Sequence, residues 1–259
     1  RAPLVGQEPT VFHLKDLPSV PFHRRGGFEC APRGKGPCCC YQLWKDGGDM
    51  SILERATDTI RNELRPLLAH PGANPTAGIH KASDNFISFD PNVHAGTGKW
   101  SAIYLWKNGQ CQTHACESLF PRTCAVIRSL SHAMAQHCLF GSVYVSRLDP
   151  GTHILPHCGP CNARLRCHLP LWVPVQRVTK QQKPRCELTV GNETVEWNEG
   201  EALLFDDSFL HSACYESSPE ECIRAEDWRL SRVVLVVDFW HPSLSRADRA
   251  ALGVLYPPK

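Results

Sequence analysis

The spacing of apolar positions along the chain changes character near Trp100. Before it, Ile52, Leu53, Ala56, Ile60, Leu64, Leu67 and Leu68 recur at helical intervals. Ser51, with Glu54 three residues on, has the form of a capping box that would start this helix. Pro66 is expected to end or kink it in its last turn, because proline has no N–H to donate. A shorter helix is expected over Ala125–Met134, where Val126, Ile127, Leu130 and Met134 fall on one side. From Trp100 onward the pattern is of strands: Trp100–Trp106, Ser142–Leu148, Leu165–Val175, Cys186–Val190, Glu201–Phe205 and Arg232–Phe239. They are short, rich in branched and aromatic residues, and broken by turns such as Asp149-Pro150-Gly151 and Asn198-Glu199-Gly200. Helices first and then many strands argue against alternating βαβ units. The expected fold is mainly β with flanking helices, a double-stranded β-helix of the jelly-roll or cupin type. No internal repeat is present.

Residues 1–48 are rich in Pro, Gly and Arg, carry Cys38-Cys39-Cys40 and show little periodicity. An extended segment wrapped on the domain and pinned by disulfides is expected there. Residues 49–259 read as one domain, with a helical buttress over 49–98 and a jelly-roll core over 99–245.

Composition adds a compartment. With 42% hydrophobic and 21% charged residues the chain is an ordinary globular sequence, and its net charge of +2 gives no global field toward nucleic acid. No run of about 18 apolar residues exists to span a bilayer. The chain starts at Arg1 and reads as a fragment, so any membrane attachment is expected through an amino-terminal anchor outside it. Fourteen cysteines are too many for a typical cytosolic enzyme of this size. With the sequon Asn192-Glu193-Thr194, where Asn192 is the glycosylation candidate, they argue for the lumen of the secretory pathway.

The chemistry concentrates in two His-bearing segments, His153-Ile154-Leu155-Pro156-His157-Cys158-Gly159-Pro160 and Leu204-Phe205-Asp206-Asp207-Ser208-Phe209-Leu210-His211. Only a fold can unite them, and in a jelly roll one His from each can face the same cavity. Neutral imidazole is a good ligand for iron(II), and non-haem oxygenases usually add a carboxylate. That carboxylate normally stands two residues after the first His, where this chain has Gly159. On a strand, Arg164, Arg166 and His168 share one face. Facing an interior, they would be costly unless an anion sits there, and a dicarboxylate such as 2-oxoglutarate would supply it. Arg232, at the head of an apolar strand, could grip a carboxylate through its planar fork.

Blander readings compete. His153 lies four residues before His157, but Pro156 opposes a helical zinc pair, so His153 reads as structural. His241 follows the last strand and is expected to cap it. Cys111, His114, Cys116, Cys124, His137 and Cys138 do not have zinc-knuckle spacing, and disulfides are the simpler account. Cys158 and Cys161 look like a redox motif but sit on a turn with no helix after them.

Several of these motifs, in this order, resemble the aspartyl/asparaginyl β-hydroxylases. The resemblance runs through Ser146-x3-Pro150-Gly151-Thr152-His153, Pro156-His157-x-Gly159-Pro160-x-Asn162-x-Arg164-Leu165-Arg166-x-His168-Leu169 and Asn192-Glu193-Thr194. It continues through Phe205-Asp206-Asp207-Ser208-Phe209-x-His211 and Arg232-x5-Asp238-x-Trp240-His241-Pro242. The chain is most similar to the shorter relatives, the aspartate β-hydroxylase domain-containing proteins, which carry an amino-terminal membrane anchor.

The resemblance implies that His157 and His211 are the only protein ligands to iron. It implies that Ser146 and Arg232 hold the distal carboxylate of 2-oxoglutarate, with Arg166, Cys167 and His168 near its other end and Trp100 lining the pocket. Asp207 would hydrogen-bond an iron-bound water, Arg164 would be free for substrate, and Cys116–Cys124 would form a short disulfide loop. The implied reaction couples O2 and decarboxylation of 2-oxoglutarate to hydroxylation of a protein or peptide side chain. Where the hydroxylase has an Arg that grips an acidic side chain, this chain has His94-Ala95-Gly96. It also carries an insertion with Cys214, Cys222, Glu220, Glu221 and Arg224 between His211 and Arg232. A non-catalytic binding module and a halogenase are the competing functions.

Overall fold

A computed structural model describes residues 6–26, 40–69, 86–89, 91–174, 185–216 and 227–259. Its helices are α1 (Tyr41–Trp44), α2 (Asp49–Arg55), α3 (Thr57–Ala69), α4 (Pro121–Ser129) and α5 (Arg246–Leu255). Its strands are β1 (Ile87–Ser88), β2 (His94–Gly96), β3 (Trp100–Lys107), β4 (Gln110–Cys111), β5 (Val143–Leu148) and β6 (Thr152–His157). They continue as β7 (Arg164–Trp172), β8 (Cys186–Val190), β9 (Glu193–Glu196), β10 (Leu203–Phe205), β11 (His211–Tyr215) and β12 (Arg232–Trp240).

Two antiparallel sheets form the expected sandwich. The larger runs β1-β3-β5-β12-β7-β10, with β4 paired to β3, and the smaller runs β2-β6-β11-β8-β9. All nine residues of β12 are buried, because both of its faces are covered. Val233, Leu235, Val237 and Phe239 pack with Leu53, Ile60, Leu64 and Ile127 in a core under the helices. Val234 and Val236 point the other way, into a core between the sheets with Ala102, Tyr144, Ile154, Leu188 and Ala213. A strand buried on both faces reads as a continuous apolar run, which is why β12 is visible in the sequence.

The helices correct the sequence reading. The capping box does not form: α2 begins at Asp49 after Gly48, with no side-chain cap, and Ser51 and Glu54 lie inside it. Glu54 instead accepts from the backbone N–H of Ala202 at 3.1 Å and from Arg25 at 2.6 Å. Ala56 interrupts the expected single helix, so α2 and α3 are separate. Pro66 sits inside α3, which runs on to Ala69. The second helix begins at Pro121, four residues before the expected Ala125, and stops at Ser129; proline at its first turn was the overlooked start signal. The strand expected over Glu201–Phe205 is shortened to Leu203–Phe205, and β7 gains Arg164.

The Cys116–Cys124 disulfide is present, closing the turn before α4. Residues 6–26 lie along the sandwich, with isolated backbone bridges Gln7 to Phe209, Phe12 to Cys161 and Phe22 to Phe205. Cys38, Cys39 and the insertion residues Glu220, Glu221, Cys222 and Arg224 lie outside the described residues. Among the described residues no helix is long and apolar enough to cross a membrane.

Candidate metal centre

His157 ends β6, His211 begins β11, and the two are direct cross-strand partners. Their rings stand 4.1 Å apart between centroids. Each is fixed in the same way by its own chain. His157 Nδ1 lies 2.8 Å from the carbonyl of Leu155, and His211 Nδ1 lies 2.9 Å from the carbonyl of Phe209. A carbonyl only accepts, so Nδ1 carries the proton in both rings and Nε2 presents a lone pair. Burial pushes His157 below its usual pKa, and burial with the neighbouring His157 pushes His211 down to about 3. Two neutral imidazoles with free Nε2 atoms on adjacent strands are what a metal ligand pair requires.

Gly159 follows His157 by two residues, and the space for a side chain there is taken. A Cβ at Gly159 would lie 2.5–2.6 Å from the carboxylate atoms of Asp207. Burial opposes ionisation of Asp207, but Arg164 and Arg166 outweigh it and hold the carboxyl at about 2. Arg164 bonds Asp207 through Nη2 and through Nε at 3.3 Å, and Arg166 Nη1 stands 3.5 Å away. The carboxylate that the sequence lacks at 159 is thus replaced in space by one pinned to two arginines. Among the described residues no group of three or more His, Cys, Asp or Glu side chains is placed to hold a metal ion.

Beside the two histidines a cavity of about 420 Å³, open water at its mouth included, runs between the sheets. It is lined by Trp100, Tyr144, Ser146, Arg166, His168 and Arg232, among others. Arg232 is 1% exposed, and its Nε has no hydrogen-bond partner among the described residues. Burial lowers its pKa to about 10, and its guanidinium lies 4.7 Å from the ring centre of Trp197. A buried cation with an orphaned donor in a cavity wall is a receptor for an anion. Ser146 accepts from Trp100 Nε1 at 3.1 Å, which leaves the serine hydroxyl proton to donate. His168 is held neutral by burial and by Arg232, and receives Trp197 Nε1 on Nδ1 at 3.3 Å. The cationic and hydroxyl groups of this wall, beside two imidazoles, suit an anionic ligand such as a carboxylate.

Two expected roles change. Cys167 points away from the cavity, into the core under the helices, because alternation along β7 sends it opposite to Arg166 and His168. Burial pushes its thiol far up, so it is an inert core residue. Arg164 is not free for substrate: it is 6% exposed and committed to Asp207, to Asp238 at 3.4 Å and to the carbonyl of Phe140 at 2.7 Å.

Asp238, to which the sequence reading gave no role, also grips Arg166 Nε at 2.9 Å. Its signal was available, as a lone carboxylate in an otherwise apolar strand. Tyr144 and Trp197 gave no comparable signal. His241 bonds the carbonyl of Pro18 at 2.9 Å and accepts from the backbone of Ser243 at 3.2 Å. His94, where a substrate-gripping arginine was missing, lies on β2 with its Nδ1 buried and unpartnered among the described residues. Asn192 is exposed in the turn between β8 and β9.

The pattern of the family described as Aspartyl/Asparaginyl beta-hydroxylase matches residues 54–242, which span the histidine pair and the cavity. The chain belongs to this family. Aspartate beta-hydroxylase domain-containing protein 2 of Homo sapiens is 34% identical over 97% of this chain and 56% of its own length. Aspartyl/asparaginyl beta-hydroxylase of Mus musculus is 36% identical over 68% of this chain and 21% of its own length. This beta-hydroxylase-family chain thus spans little more than half of the first relative. Among solved structures, a Pseudomonas putida prolyl-4-hydroxylase aligns over 73% of this chain and 87% of its own at TM-score 0.40 and 10% identity. That likeness is too loose to bear on the site.

Proposed function

We propose that this chain is an iron(II)- and 2-oxoglutarate-dependent dioxygenase domain that hydroxylates a side chain of a protein or peptide in the secretory pathway. The observation that carries the reading is the pairing of two neutral, Nδ1-anchored histidines with the orphaned Arg232 in one cavity. His157 and His211 would hold the metal, and when bound, iron supplies O2 activation with 2-oxoglutarate as the electron donor.

The protein's own work is binding and orientation. Arg232 and the Ser146 hydroxyl receive the distal carboxylate of the cosubstrate, and Trp100 fixes Ser146. The carbonyls of Leu155 and Phe209 keep the protons of both imidazoles on Nδ1, away from the metal side. Arg164 and Arg166 keep Asp207 ionised beside Gly159, where it would accept a hydrogen bond from a water on the metal. The Asn192 sequon, exposed in the turn between β8 and β9, and the Cys116–Cys124 disulfide support a lumenal setting.

The test is succinate release by the purified chain with iron(II), 2-oxoglutarate and a library of peptides from secreted proteins. Turnover requiring both iron and cosubstrate, an oxygen added to peptide by mass, and loss of both in His157→Ala and His211→Ala are expected. Metal-loaded protein that binds no 2-oxoglutarate and releases no succinate would overturn the reading.

A further inference from the structure

Residues 6–14 cross the end of the sandwich where the two histidines meet. Their backbone joins both ligand-bearing loops. On the His211 side, Leu210 N–H donates to the Gly6 carbonyl at 2.6 Å and Glu8 N–H donates to Ser208 at 3.0 Å, around the Gln7–Phe209 bridge. On the His157 side, Thr10 N–H donates to Gly159 and Val11 N–H to Pro160, each at 3.0 Å. Further along, Leu14 exchanges two bonds with the amide of Asn162, at 2.8 and 2.9 Å.

The side chain of Gln7 is 1% exposed and sits under the second loop. Its Nε2 donates to Ser208 Oγ and Ser19 Oγ, each at 2.9 Å, and lies 3.3 Å from Asp206 Oδ2. Asp206 in turn accepts the backbone N–H of Ser208 at 3.0 Å. The loop so braced is the one whose Phe209 carbonyl fixes His211 Nδ1. Gln7 therefore stands two contacts from the ring that would bind metal, and the strap is the one described segment bonded to the backbones of both ligand loops. It also lies outside the residues matched by the family pattern.

We propose that the 6–14 strap is an integral part of the metal site, with Gln7 a positioning residue that sets the His211 ring through Ser208 and Phe209. This inference rests on the iron reading above. Without the strap, the two loops beyond the β6–β11 pairing are tied to each other chiefly by the Gly159 N–H to the Asp207 carbonyl, at 2.6 Å, and the His157–His211 pair lies at the very end of that pairing. The histidines would then sample more than one separation, and the metal would bind more weakly. Partners that orient a ligand from behind typically change metal affinity by about 10–100-fold when removed.

The experiment is calorimetric titration of the metal-free chain with Co(II) alone, read beside the Co(II) ligand-field absorption and the melting temperature. Gln7→Ala and Thr10→Pro are the variants. Thr10 is exposed, so its substitution by proline removes the N–H to Gly159 and fixes the local backbone but opens no cavity. Both variants are expected to lose Co(II) affinity by about 10-fold or more, with altered absorption, while staying folded at the assay temperature. If Gln7→Ala does not fold, Thr10→Pro decides alone. Folded variants that bind Co(II) within about twofold of the wild type, with the same spectrum, overturn the strap's role. Wild-type protein that binds no Co(II) overturns the iron reading itself.

Discussion

At the scale of single residues the site is a set of electrostatic choices. Asp207 and Arg232 carry opposite solutions to the same problem of burying a charge. Asp207 is surrounded by guanidinium groups and stays ionised, whereas Arg232 has no acidic partner among the described residues and bears the full cost of burial. Arg232→Met should therefore separate binding from stability. Affinity for 2-oxoglutarate is expected to fall about 100-fold, because a buried carboxylate loses its charged partner. The ligand-free protein is expected to gain about 1 kcal/mol, because an unpaired buried cation is replaced by an apolar chain of similar length. Calorimetry with 2-oxoglutarate and melting of the ligand-free protein check the two halves. A variant that loses both affinity and stability would show that Arg232 is satisfied without ligand. The positions of His157, His211 and Arg232 were legible in the sequence as chemistry in an unusual place. The fate of Arg164 was not, because its partners Asp207 and Asp238 are 43 and 74 residues away.

At the scale of elements, tertiary contacts supply what local sequence does not. Helix α4 has no side-chain cap of its own at Phe120. Glu63 on α3 provides one from a distance: it accepts from the backbone N–H groups of Arg122 and Thr123 at 2.8 and 2.9 Å and from the Thr123 hydroxyl at 2.6 Å. A carboxylate at a helix start satisfies orphan donors and complements the dipole. Glu63→Ala is expected to cost about 1–2 kcal/mol by urea denaturation, the size of a lost N-cap, and a cost near zero would refute the role. The expected Ser51–Glu54 capping box failed for the same reason. Glu54 is drawn to Ala202 and Arg25, contacts that no window of local sequence contains. The strands were read better where both faces are buried, as in β12, than where one edge meets solvent. The strands bearing His157 and His211, β6 and β11, lie outside the apolar runs of the sequence, since Pro156, His153 and Ser212 break their pattern.

For the whole molecule the dominant titrating feature is a set of buried neutral histidines. Burial pushes His23 and His211 down to about 3 and His241 to about 4, and holds His168 well below its usual value. Above pH 6.5 these rings are neutral folded or unfolded and add nothing to the pH dependence. Below it the unfolded chain takes up protons that the folded protein refuses, so stability falls with pH by about 1.4 kcal/mol per unit for each histidine. Asp206, raised to about 7 by burial, has the opposite sign and offsets one of them. The metal-free protein is expected to melt at a constant temperature from pH 8 to 7 and at steadily lower temperatures from 6.5 to 5. A flat profile across that range would contradict the burial of these rings.

The jelly-roll class, the two histidines, the cationic face of β7 and the family are legible without coordinates, because each is written in local pattern or in motif order. Folding brings Asp207 into the space beside Gly159, spends Arg164 on carboxylates and turns Cys167 toward a core, none of which local sequence contains. The reach of the amino-terminal strap to the loops beside His157 and His211 likewise appears only in the folded chain. Those are statements about which distant side chains meet, and contact between residues far apart in sequence is fixed by packing rather than by any local pattern.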